Sequence, residues 1–77
     1  MIHIDQAIAD AQQSGFSPYK KSEDEWDYSM ILLEPVFWQA LGKIYGWKRP
    51  RWKEEWHRFI DHLAERNDAD SFFEHLF

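Results

Sequence analysis

The sequence predicts an all-α fold: a small four-helix domain covering residues 1–77, with helices at about 4–14, 35–45, 50–66 and 69–77, the long third helix as spine, and an extended or loop segment at about 16–33. Three observations carry this. In the stretch WKEEWHRFIDHL, Trp52, Trp56, Phe59, Ile60 and Leu63 recur at i, i+4, i+7, i+8 and i+11, the one-faced spacing of an amphipathic helix. Pro35 and Pro50 stand where helices start, and Gly15 and Gly46 where helices stop. The chain has 77 residues, no cysteine and 18% aromatic residues, five of them tryptophan. So short a chain needs a staple or a rich core, and dense aromatic packing is the means available without disulfides. Self-association is a second way to bury such surface.

The first helix places Ile4, Ala7, Ile8 and Ala11 on one face, with Asp5 as its expected N-cap and Gly15 in the left-handed position beyond its end. Phe16-Ser17-Pro18-Tyr19 then breaks the helical pattern, because the residue before proline avoids the α region. In Trp26–Leu33, Trp26, Tyr28, Met30 and Leu32 alternate with Asp27, Ser29, Ile31 and Leu33, which predicts extended chain. A strand here lacks an evident partner in its own chain, so pairing between two chains is the alternative. Glu34-Pro35 opens the second helix, with Phe37, Leu41 and Ile44 on one face and Trp38 and Tyr45 on a neighbouring one. Gly42 inside it marks an expected close helix crossing. Pro50 opens the third helix, Asn67 ends it, and Asp68 caps a last helix whose apolar content is Phe72, Phe73, Leu76 and Phe77.

The net charge of −5 is unevenly spread: residues 1–34 carry −5, residues 35–60 carry +4 and residues 61–77 carry −4. A basic middle between acidic ends suits ends that fold back on the middle, or an acidic partner. The N-terminal MIHIDQAIADAQQ lacks the basic start and apolar run of a signal peptide, and no stretch approaches the roughly 18 apolar residues of a membrane span. With cysteine absent, a cytoplasmic location is expected.

LLEPVFWQALGKIYGW, residues 32–47, and WHRFIDHLAERNDADSFFEHLF, residues 56–77, resemble a group of short uncharacterised bacterial and prophage proteins. The pattern of that group is LLDP-hydrophobic-FWQALGKALGW, then WHRFIDHLAEGKDAESFFEEL. Gly15-Phe16 followed by Pro18 is similar to the group's helix end as well. Glu34 replaces the usual aspartate, and Arg66-Asn67 replaces Gly-Lys, so the turn there forms without glycine. The resemblance implies a shared fold and a mobile-element origin, and implies no activity.

Candidate chemistry is sparse. His57 and Asp61 lie one turn apart with Glu54 nearby, a spacing that suits zinc, but His62 sits about 140° around the helix from His57 and cannot join them. His3 and His75 are the remaining imidazoles. A solvated polar face accounts for the set, and no metal or other cofactor is expected. No phosphate loop, GxSxG or HExxH occurs, and Ser14, Ser17, Ser22, Ser29 and Ser71 stand in turn or cap contexts. A chain this short also leaves little expected room for a pocket of about 300 Å³ or more, so catalysis is not expected.

Three functional readings follow from these patterns. The first is a non-enzymatic protein-interaction module, binding another protein or itself as a homodimer, through Trp26, Tyr28, Trp38, Tyr45 and Trp47, the rings left over from the main stripes. The second is a nucleic-acid-binding accessory protein using Lys48, Arg49, Arg51 and Lys53 within the basic-aromatic segment 47–58, with Trp47 as the exposed ring. The third is an acidic inhibitor that imitates nucleic acid through Glu23, Asp24, Glu25, Asp27 and Glu34, which would need a rigid surface to space the carboxylates like phosphates.

Overall fold

The computed structural model describes residues 2–74. Among them the chain forms five helices and one two-stranded hairpin: α1 Ile4–Gln13, β1 Lys20–Ser22, β2 Glu25–Trp26, α2 Tyr28–Leu33, α3 Pro35–Tyr45, α4 Lys53–Arg66 and α5 Ala69–Glu74. The fold is therefore mostly helical rather than all-α. The expected docking of Leu76 and Phe77 lies outside the described residues.

α1 buries Ile4, Ala7, Ile8 and Ala11, the face its spacing predicts, and lies against α3. Its N-cap is His3, with Asp5 in the first turn instead. Gly15 takes φ 102° just past the helix end, and Phe16 then turns inward to meet Phe37 at 5.5 Å between ring centroids.

The segment expected to be extended is instead a hairpin followed by a helix. β1 and β2 pair antiparallel, Lys20 opposite Trp26 and Ser22 opposite Glu25, with an irregularity between. The strand partner that the sequence did not reveal is thus in the same chain. Asp27 then caps α2 by accepting from the Met30 N–H at 3.3 Å, and Ile31 and Leu32 turn inward while Met30 and Leu33 face out.

α3 starts as its sequence predicts, with Pro35 in the first turn and the Glu34 carboxylate accepting from the Val36 N–H. It buries Phe37, Trp38 and Leu41 and ends at Gly46 in the left-handed region, φ 77°. Ile44, expected on the apolar face, is exposed. Gly42 is exposed too; a Cβ there would lie 3.4 Å from the Trp47 carbonyl, so what approaches it is the returning chain, not a crossing helix.

α4 begins at Lys53, later than expected, with Trp52 as N-cap and no side-chain cap bond. Of the predicted stripe only Phe59 is fully buried; Trp56 and Leu63 are half-buried, while Trp52 and Ile60 are exposed. The long helix is therefore not the spine. The centre of the core is Trp38 on α3, 5% exposed, whose indole N–H donates to the Leu32 carbonyl at 2.7 Å. Its ring meets Phe37, Trp56, Phe59 and Phe73 edge-on at 5.5 to 6.0 Å, reaching α4 and α5. Edge-to-face contacts of this kind add to the burial of area itself.

The two ends of the described chain clasp one another. The Ile2 N–H donates to Asp70 Oδ1 at 2.8 Å, the Ala69 N–H donates to the Ile2 carbonyl at 2.8 Å, and the Ile4 N–H donates to Asn67 Oδ1 at 3.3 Å. Asn67 takes φ 49° and so closes α4 without glycine, a role asparagine fills better than most residues.

Replacing Trp38 by alanine removes the ring that joins four elements. A core aromatic-to-alanine change costs about 3–5 kcal/mol, comparable with the whole stability of a domain this small. Trp38→Ala is expected to lose its cooperative urea transition at 25 °C. Trp38→Phe keeps most of the apolar area but leaves the Leu32 carbonyl unpaired, and is expected to lose about 1–3 kcal/mol.

Candidate functional site

The aromatic rings that the sequence marks as surplus are mostly core. Trp38 and Trp47 are 5% and 7% exposed. Trp47 lies between Tyr45, stacked at 4.5 Å, and Phe73, stacked at 4.8 Å. Tyr45 is half-buried and its hydroxyl donates to Asp10 of α1. Trp26 is half-buried against the core. Of the five expected interface rings, only Tyr28 is exposed. The reason is local: the left-handed turn at Gly46 sends the chain back across α3, which carries Trp47 onto Phe73.

The exposed apolar surface lies elsewhere, in a groove of about 610 Å³ between α1, α2 and α4. Its apolar lining is Ile4, Leu32, Leu33, Trp56, Ile60 and Leu63. The expectation that the chain leaves no room for a cavity of this size is not met. Leu33 stands at 58% exposure and Ile60 at 46%. Trp56, Ile60 and Leu63 belong to the stripe that the spacing of α4 identifies, so one side of that stripe lines a groove while Phe59 faces the core. Leu33 was concealed by the apparent strand alternation of residues 26–33; in a helix it and Met30 fall on the outer side. Tyr28 closes one edge, its hydroxyl donating to Asp5 Oδ1 at 2.5 Å, while Asn67 lies at the end of α4.

The basic connector between α3 and α4 is exposed at Lys48, Arg49, Arg51 and Lys53, as the sequence suggests, but the ring it presents is Trp52 rather than Trp47. The Arg49 guanidinium lies over the Trp56 ring, 5.7 Å from its centroid. The Arg51 N–H donates to Glu55 Oε2 at 3.0 Å. Arg49, Pro50, Arg51 and Trp56 line a shallow cleft of about 320 Å³.

Among the described residues no group of three His, Asp or Glu side chains is placed to hold a metal ion, and Glu54, His57 and Asp61 are all exposed. His62, on a different face of α4 from His57, lies 2.6 Å from Ser71 Oγ and 2.9 Å from the Asp68 carbonyl. The Ser71 hydroxyl donates to that same carbonyl at 2.9 Å. These contacts fasten the start of α5 to α4. Glu23 and Asp24 form the turn of the β1–β2 hairpin and Glu25 pairs with Ser22, while Lys20 and Lys21 stand on the adjoining strand, so the acids do not form a uniformly acidic row.

Comparison with protein-family models, curated proteins and solved structures finds no match to this chain.

The tyrosine–carboxylate pairs around α1 give a pH signature. Hydrogen bonding to Asp5, then burial, pushes Tyr28 up from its ordinary 10.0 to about 12. Burial, then the hydrogen bond to Asp10, pushes Tyr45 up to about 12. Groups with raised folded-state pKa values contribute stability that is fully present below pH 10 and lost as pH rises towards 12. Ultraviolet difference absorbance should therefore show two tyrosines ionising late, with urea stability falling over that window. Asp5→Asn should bring one of the two back towards its ordinary value.

Proposed function

We propose that this chain is a small non-enzymatic protein-interaction module that docks a second copy of itself through the groove between α1, α2 and α4. The observation that carries the reading is that a knob and a recess share one face. Leu33, the most exposed large aliphatic side chain among the described residues, lines an apolar groove of about 610 Å³ that no described residue fills. A face carrying both is self-complementary, the requirement of a two-fold interface.

One wall of the groove is α1 and α2 and the other is α4. A two-fold axis running along the groove sets each copy's α2 over the other's α4, so that Leu33 of each copy meets the apolar row of the other's α4. A specific interface takes about 800 Å² from each partner, roughly a seventh of the 5376 Å² surface. On this reading monomer and dimer exchange rather than form an obligate pair.

The resemblance of residues 32–47 and 56–77 to short prophage proteins supports a mobile-element origin. No helix among the described residues is long and apolar enough to cross a membrane, and the cysteine-free sequence suits a reducing, cytoplasmic setting.

Light scattering on a sizing column should give a mass that rises with concentration from 9.4 kDa towards twice that value. Leu33→Asp and Ile60→Asp, both at exposed positions, should hold the mass at one chain with unchanged helical circular dichroism. A wild-type mass that stays at one chain across the full range, or variants that associate as the wild type does, would overturn the proposal.

A further inference from the structure

We propose that the connector between α3 and α4 is a contact site for single-stranded nucleic acid, with Trp52 as the ring on which a base stacks. This goes beyond self-association and uses a different surface. Trp52 is 64% exposed, more than any other large hydrophobic side chain among the described residues. It serves as the N-cap of α4 without making a side-chain cap bond, so the helix start gives no reason for an indole there. An exposed indole is an unfavourable use of a large apolar surface unless a flat partner covers it.

The surroundings of the ring specify that partner. Lys48, Arg49, Arg51 and Lys53 are all exposed within six residues, and no acid interrupts them. Glu54 and Glu55 follow at the start of α4, and Glu55 accepts from the Arg51 backbone N–H at 3.0 Å. Arg49 is held over the Trp56 ring, beside the cleft of about 320 Å³ that it lines with Pro50, Arg51 and Trp56. A guanidinium placed over an indole still has N–H groups to offer a phosphate. Cations flanking an open aromatic ring are the arrangement that tracks a phosphate backbone while stacking a base.

A single strand fits this better than a duplex. Stacking on Trp52 needs an exposed base face, which paired and stacked DNA does not offer. The net charge of −5 also opposes broad electrostatic attraction to a duplex. Contact with about three or four phosphates predicts a salt slope of roughly −2 to −3 in log–log form for a single strand.

The test is fluorescence anisotropy with a short labelled oligothymidylate, a duplex of equal length, and heparin and anionic phosphatidylserine vesicles as competitors. Wild-type protein should bind the oligothymidylate at low salt with that slope, and prefer it to the duplex. Trp52→Ala should weaken binding about 5- to 150-fold, the range of one lost base–aromatic stack, while Trp52→Phe retains most of it. Arg51→Gln with Lys53→Gln should flatten the slope by about 1.4, two contacts at about 0.7 each. Leu33→Asp should leave binding intact, which separates this result from that of the groove. Absence of binding at low salt, an unchanged affinity in Trp52→Ala, or equal binding of duplex, heparin or vesicles would overturn the proposal.

Discussion

The hydrogen bond from the Trp38 indole to the Leu32 carbonyl, inside an aromatic cluster, is the constraint on which the arrangement depends. It joins α3 to α2 at a buried position, where leaving the donor unpaired would cost about 1–3 kcal/mol. The same ring contacts Trp56 and Phe59 of α4 and Phe73 of α5. Three elements are thereby set against a single side chain. The six residues of α2 are too few to persist as a helix alone. Held by Asp27 at one end and by Trp38 near the other, α2 turns Ile31 and Leu32 inward and leaves Met30 and Leu33 outside. The groove with its exposed rim follows from how α2 is held.

This economy explains how 77 residues without a disulfide build a core. The aromatic contacts run almost without a break from Phe16 through Phe37 and Trp38 to Phe59, Phe72 and Phe73, and from Phe73 to Trp47 and Tyr45. Hydrogen bonds between residues 2–4 and 67–70, one between backbones and two from backbone N–H groups to the Asn67 and Asp70 side chains, then join the two ends of the described chain. Beyond side chains exposed singly, such as Tyr19, Met30, Val36 and Ile44, what this core does not absorb gathers in two places, the α1–α2–α4 groove and the Trp52 connector. They meet at Trp56, which lines both the groove and the cleft beside Arg49.

The helices were legible wherever a face and its punctuation agreed. Ile4, Ala7, Ile8 and Ala11 gave α1, and Pro35 and Gly46 bounded α3, because these signals are local. α2 was not legible: Trp26–Leu33 alternates as a strand does, and what makes it helical is a cap at Asp27 and a bond from Trp38, a residue in another element. The tryptophans were legible as a class but not one by one. Spacing alone put Trp52 on the α4 stripe and left Trp38 and Trp47 outside, whereas α4 starts at Lys53, so Trp52 leaves the stripe and the chain after Gly46 folds Trp47 inward. Of the groove, the row Trp56, Ile60 and Leu63 was visible, but a stripe does not say which of its sides meets the core. The basic connector was visible as charge; which indole it exposes depended on one turn of backbone.

The most direct test of this account is indole hydrogen exchange, followed residue by residue by NMR. The Trp38 N–H, donated to the Leu32 carbonyl within the core, should exchange as slowly as the most protected amides of α3, through global unfolding. The Trp52 N–H should exchange at the rate of a free indole. A Trp38 indole that exchanges as fast as that of Trp52 would contradict the account, since the ring would then lie outside the core that positions α2 and the groove.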